Sequence, residues 1–199
     1  MLPPQVKNLL DEIETYGQEN DARQTDHRLK MLNLETVTAR LVHFIMRSSR
    51  RRRILEIGTS NGYSTIWLAA AVDALDGHVV SVDRNPAKHS LATANLQKAG
   101  LARRVKLVTG EADAEITRLD GPFDALFFDG NRLTAGNQLR ALLPKLTPDA
   151  IVLADNVLSH PQEIAAYLEV VRALPDFAEF TVPIGKGLSI AYRQETQSV

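Results

Sequence analysis

From Arg53 onward, short apolar runs alternate with segments whose apolar residues recur every three or four positions. The runs are ILEIG (54–58), HVVSVD (78–83), VKLVTG (105–110), ALFFDG (125–130) and AIVLAD (150–155). Near-continuous apolar strands are buried on both faces, and when helices separate them the sheet is parallel with helices on either side. Asn85-Pro86 caps and starts a helix that stops at Gly100, while Asp76-Gly77 and Gly121-Pro122 turn the chain into strands. The closing stretch FTVPIGKGLSIAYR reads as two strands around a Gly-Lys-Gly turn, a pair that can only be antiparallel. The expected fold is α/β: a Rossmann-like, doubly wound, mostly parallel seven-stranded sheet with a C-terminal antiparallel hairpin.

Ahead of this core lies a helical leader. Apolar spacing predicts one helix over about residues 4–17, then the polar stretch QENDARQTDHR, then a second helix near 35–49 with Val37, Leu41, Phe44 and Ile45 on one face. Such a leader serves as a lid, an oligomer contact or an extra packing layer. Arg50 to Arg53 fall at the predicted end of the second helix, where cations complement the dipole, and read as a solvated helix end.

Composition narrows the class. With 199 residues, 44% of them hydrophobic, the chain suits one domain over 1–199, divided into a leader (1–50) and a core (51–199). A formal charge of -1 supplies no general attraction to nucleic acid or membrane, and no apolar run is long enough to cross a bilayer. The absence of cysteine excludes a disulfide framework, thiolate catalysis and a cysteine zinc site. Met1-Leu-Pro-Pro-Gln lacks a basic region followed by an apolar core, so the cytoplasm is the expected compartment.

In open α/β sheets the ligand binds beyond the carboxyl ends of the strands. The first loop there is Gly58-Thr59-Ser60-Asn61-Gly62, where glycine permits tight turns and close approach of a ligand. The loop does not spell G-x-G-x-x-G, which counts against an NAD-dependent oxidoreductase, and the Glu56 carboxylate would repel a phosphate. Asp83 ends the second run, where an acid accepts hydrogen bonds from both hydroxyls of a ribose, although it could also serve as a helix cap. A cationic nucleoside without phosphate satisfies all three features, and S-adenosylmethionine is such a molecule.

LEIGTSNGYS, VVSVD, FDALFFDG and IVLADNV follow one another in the order and spacing of class I S-adenosylmethionine-dependent methyltransferases. More narrowly the chain resembles the metal-dependent O-methyltransferases, typified by catechol and caffeoyl-coenzyme A O-methyltransferases and their bacterial relatives, from about Asn33 to its end. PIGKGLSIAYR is similar to the usual ending of the bacterial members. The resemblance implies cofactor contacts at Glu56, Gly58, Thr59, Ser64, Asp83 and Asp129, with Leu34 at the methionine end and Gly110 to Ala112 at the adenine. It also implies a small-molecule hydroxyl acceptor, and the amphipathic leader is compatible with a homodimer.

Asp129 ends the fourth run and Asp155-Asn156 the fifth. If those strands are neighbours, two carboxylates and an amide oxygen converge, a set that suits magnesium, calcium or manganese; alternatively Asp155-Asn156 caps the next helix. The resemblance favours a divalent cation, magnesium foremost, because these positions coincide with the family's ligands. The chain departs from the family beside them: where Asp-Ala-Asp-Lys is common, it has Asp129-Gly130-Asn131-Arg132, then Ala135 in place of an aromatic residue. The relatives' lysine is held to be a base. A guanidinium stays protonated, so Arg132 can favour an anion or orient a carboxylate but not take a proton. Asp129, Arg132 and His160 are the expected catalytic residues, His160 as proton acceptor or simply as a helix-start histidine. Trp67 is read as core. The expected activity is metal-assisted methylation of a catechol-like hydroxyl, and the alternative is a protein that binds the cofactor but has lost turnover.

Overall fold

The computed structural model describes residues 2–194; the ends of the single-domain reading, residue 1 and residues 195–199, lie outside the described residues. The strands are β1 (Arg53–Ile57), β2 (His78–Asp83), β3 (Val105–Thr109), β4 (Phe123–Phe128), β5 (Leu146–Ala154), β6 (Phe177–Val182) and β7 (Leu188–Arg193). They form one seven-stranded sheet in the order β3-β2-β1-β4-β5-β7-β6. β1 to β5 pair in parallel, and β7 lies antiparallel between β5 and β6. The expected α/β architecture, including the C-terminal hairpin, is present. Because β1 is flanked by β2 and β4, the order reverses there, which opens a crevice at the carboxyl ends of the two strands.

Alternation along each strand divides the core in two. Ile54, Phe127 and Leu153 face α1 (Pro4–Arg23), α2 (Thr36–Ser48) and α3 (Tyr63–Asp73), whereas Leu55, Leu126 and Val152 face α6 (Arg132–Leu142) and α7 (Pro161–Ala173). α4 (Pro86–Lys98) and α5 (Ala112–Arg118) complete the layers. The turn chemistry acts as expected: Asn85 caps α4 by accepting from the amides of Ala87 (3.0 Å) and Lys88 (3.3 Å). Trp67 is buried in the first core, as expected.

α3 is buried almost all round, from Tyr63 to Val72, because the leader covers the side that the sheet does not. Leu9, Leu10 and Ile13 of α1 join the first core, and burial of each is worth about 1.5–3 kcal/mol. The leader is thus a packing layer.

The leader departs from expectation in three ways. α1 runs to Arg23 rather than ending at Gly17. A Cβ at Gly17 would collide with the Asn33 side chain, whose amide donates to the Ile13 carbonyl (3.1 Å), so this glycine admits a crossing segment and does not end the helix. α2 buries Thr38, Ala39, Val42 and Met46, leaving Val37 (52%) and Phe44 (65%) exposed. Arg51 is not a solvated helix end: only 9% exposed, it donates to the carbonyl (2.7 Å) and carboxylate (2.9 Å) of Asp149.

α6 and α7 meet at Gly136, where a Cβ would lie 2.7 Å from the Ala166 carbonyl oxygen. Helix propensity favours alanine over glycine by about 1 kcal/mol, and overpacking opposes it by about 1–3 kcal/mol. Packing should win, because the obstacle is backbone. Gly136→Ala is expected to lower the urea unfolding midpoint with an unchanged slope; a higher midpoint would show that the helices can separate without loss.

Candidate active site

Ile57 pairs with Val82 on one side and with Phe128 on the other, and Phe128 pairs with Ala154. The residues that follow, Gly58, Asp83, Asp129 and Asp155, therefore stand at one height along the carboxyl edge of four adjacent strands. Neighbouring strands lie about 4.8 Å apart, so Asp129 and Asp155 are brought together as the sequence reading required.

Gly58 answers to the protein as much as to a ligand. Its φ is 109°, and a Cβ there would strike the Asp129 carbonyl oxygen and lie 2.7 Å from the Asp129 carbonyl carbon. The buried hydroxyl of Thr59 bonds Ser81 (2.6 Å) and His89 (3.3 Å), which leaves its backbone toward the loop. Glu56 has no exposed surface; its oxygens accept from Ser64 (2.6 Å), Thr65 (2.5 Å) and Ser81 (2.5 Å). Burial raises its pKa, and the three hydroxyls oppose that shift. Ser64 is thus joined to Glu56 directly, as the one donor on Oε1, and the other two donors share Oε2.

The Asp83 carboxylate accepts from the amides of Ser60 (2.8 Å) and Asn85 (2.9 Å), which orients it at the β2 tip. Gly110 lies beside it, its amide bonded to the Asp83 carbonyl (3.0 Å), and Ala112 begins α5. Leu34 is buried, 4% exposed, among the leader residues of the first core.

Asp129, Asp155 and Asn156 share a cavity of about 10 Å³, room for one water-sized particle, with Arg132 and Ala135 in its wall. Burial raises Asp155 to about 6, with Glu35 adding to the shift and Asn156, Lys186 and Arg132 opposing it. Asp129 is pushed well above the usual carboxylate range by burial, then by the charges of Asp155 and Glu56, against Lys186 and Arg132. Oδ1 of Asp155 is buried without a hydrogen-bond partner, while Oδ2 takes the Asn156 amide (2.7 Å). Neighbouring carboxylates, one with an orphan oxygen, around an ion-sized space fit a hard cation. Among the described residues no three His, Asp or Glu side chains are grouped so as to hold a metal ion; the third polar side chain in this cavity wall is the Asn156 amide. Asp155 and Asn156 do not cap the following helix; His160 stands at that position, without a side-chain cap bond.

Arg132 is turned toward α7, where its guanidinium meets the Glu163 carboxylate at 2.7 and 2.9 Å. His160 lies outside the cavity lining, with Nδ1 bonded to the Ser159 hydroxyl (2.8 Å). Three participants had no motif to announce them: Glu163, Glu35 and Lys186. Lys186 alone left a trace, the two glycines around it.

A doubly wound sheet with an acidic tip at β2 and paired acids on β4 and β5 defines a Rossmann-like protein. The chain belongs to the methyltransferase domain family, which residues 55–157 match. It is similar to a catechol O-methyltransferase of Mycobacterium tuberculosis, 39% identical over 108 residues that cover 54% of this chain and 49% of that protein. A second catechol O-methyltransferase, from Niastella koreensis, is 33% identical over 111 residues, 54% of this chain and 50% of that one. The chain thus spans about half the length of these curated relatives. The O-methyltransferase TomG of Streptomyces achromogenes, solved with S-adenosylmethionine, superposes with a TM-score of 0.81 at 25% identity, covering 98% of this chain and 91% of that one.

The carboxylate pair makes stability depend on pH with a definite sign. A carboxyl whose folded pKa is raised contributes no penalty below its unfolded value of 3.8 and its full penalty above its folded value, here about 6. In chelator, Asp155→Asn should match the native protein near pH 4 and exceed it by on the order of 2 kcal/mol at pH 7.5 in urea titrations. A constant difference across that window would mean that folding does not raise the Asp155 pKa.

Proposed function

We propose that the protein is an S-adenosylmethionine-dependent O-methyltransferase acting on a small catechol-like acceptor. The observation that carries this reading is the division of labour along one sheet edge: a single acid at the β2 tip, and a desolvated pair one strand beyond the crevice. Family membership and the named relatives support it.

In this reading Asp83 accepts the ribose hydroxyls, Gly110 and Ala112 flank the adenine, and Leu34, Glu56, Gly58, Thr59 and Ser64 form the methionine end, Thr59 through its backbone. Asp129 stands between the two sites, and with Asp155 and Asn156 it would hold a divalent cation, magnesium first. When bound, the cofactor supplies a sulfonium methyl and the cation supplies charge that favours the ionised acceptor oxygen. The protein's own share is to hold acceptor and methyl in line and to keep water away, effects that can reach several kcal/mol. Arg132 adds positive charge and is no base. His160 has Nε2 free of its Ser159 bond and takes the proton there, or passes it to solvent. A homodimer would use the exposed face of α2, with Val37 and Phe44. No described helix is long and apolar enough to cross a membrane, and we place the protein, as a single domain, in the cytoplasm with no nucleic-acid partner.

The engagement of Arg132 with Glu163 favours one second reading, a protein that binds the cofactor without turnover. Methyl transfer to catechol from S-adenosylmethionine, measured with magnesium and with chelator, decides between them. Turnover that chelator abolishes is the expected result. Asp83→Ala should weaken S-adenosylhomocysteine binding about 10- to 100-fold in calorimetry, the loss of a charge-assisted hydrogen bond. Asp155→Ala should leave that affinity intact and remove divalent-ion binding. Unchanged ion affinity in Asp155→Ala would defeat the metal assignment, and unchanged cofactor affinity in Asp83→Ala the ribose assignment.

A further inference from the structure

We infer that Lys186, at the tip of the β6–β7 hairpin, is a cation of the acceptor site whose ammonium binds the ionised oxygen of the methyl acceptor. The inference rests on the methyl-transfer reading above.

The hairpin turn is a fixed part of the mouth. The Lys186 carbonyl accepts from the amides of Leu158 (3.0 Å) and Ser159 (3.1 Å), and that of Gly187 accepts from Val157 (3.1 Å), so the turn is strapped to the segment that leaves Asp155-Asn156. Both flanking glycines have positive φ, 52° at Gly185 and 91° at Gly187. A Cβ at Gly187 would lie 2.7 Å from Cβ of Leu158, and one at Gly185 would lie 2.5 Å from the Thr38 hydroxyl. Lys186 therefore stands on a turn wedged between the start of α2 and the edge that carries the paired carboxylates. It is exposed, and no ion pair among the described residues engages it.

Two basic residues border this edge: Arg132 in the wall of the cavity that Asp129 and Asp155 line, and Lys186 on the turn strapped to Leu158 and Ser159. Arg132 is held by Glu163. Lys186 is the one at liberty to meet an incoming ligand. An ammonium on a four-carbon stem is a compact charge with three rotatable donors, suited to a single oxygen rather than to a planar carboxylate. Its charge favours the phenolate, and the displaced proton leaves by the route given above, through His160 or to solvent. The acids of this neighbourhood, Asp129 and Asp155 in the cavity and Glu35 against Gly185, would disfavour that anion without a cation on the open side.

The chromogenic acceptor 4-nitrocatechol tests this without turnover, because its anion and neutral form absorb at different wavelengths. It would be titrated with pH while bound to the full chain in S-adenosylhomocysteine and magnesium. Lys186→Met is expected to weaken binding about tenfold and to raise the midpoint of the bound probe by about one pH unit, while Lys186→Arg retains most of both. A Lys186→Met protein that binds and titrates the probe like the native one overturns the inference and leaves the methyl-transfer reading standing. Equal losses in Lys186→Met and Lys186→Arg also overturn it, since the effect would then follow shape and not charge. Absence of probe binding by the native protein defeats the catechol reading itself, and this inference with it.

Discussion

Parallel strands in register present equivalent positions at one height, and in this protein four of them present Gly58, Asp83, Asp129 and Asp155 together. Ile57, Val82, Phe128 and Ala154 share one level of the ladder. Whatever follows them is presented at one height, with no further contribution from the loops. That constraint places Asp129 beside Asp155 at the distance of one strand spacing, where two charges withdrawn from water repel each other. It also explains Gly58, since a side chain at the β1 tip would have to occupy the backbone of the β4 tip.

A protein that keeps such a pair must compensate it from outside the sheet. Arg132 comes from the start of α6 and Lys186 from the hairpin, two elements far apart in the chain. Arg132 is itself restrained by Glu163 of α7, which engages Nε and one terminal nitrogen, so its charge is available to the carboxylates while its direction is fixed. Glu56 is treated differently: it is buried whole and satisfied by three hydroxyls from α3 and β2, a local network that requires no distant partner. The edge thus holds one acid engaged by three hydroxyls, one oriented by amides at Asp83, and two, Asp129 and Asp155, that burial pushes above the usual carboxylate range.

The repeating part of the fold was legible because its signal is local. Strand runs, the Asn85 cap and the Gly185 to Gly187 turn each depend on a few adjacent residues, and each formed as read. The leader was less legible because its glycine and apolar residues answer to tertiary neighbours. Gly17 resembled a helix end and proved to be a crossing point for Asn33; Val37 and Phe44 resembled a buried face and lie open. Arg51 resembled a solvated cation and is buried against Asp149, a residue far along the chain that no periodicity could connect to it.

At the site the same division holds. Which residues stand at the strand tips followed from sequence alone, because a strand's end and the residue after it are matters of local pattern. Asp83, Asp129 and Asp155 are therefore properties of the sequence. Where a side chain turns and what it meets is settled by packing of elements from different parts of the chain. The inward hydroxyl of Thr59, the capture of Arg132 by Glu163, and the strapping of the Lys186 turn to Leu158 and Ser159 were decided only by the tertiary structure. Electrostatic and steric neighbours act through space, and a one-dimensional pattern carries no record of that distance.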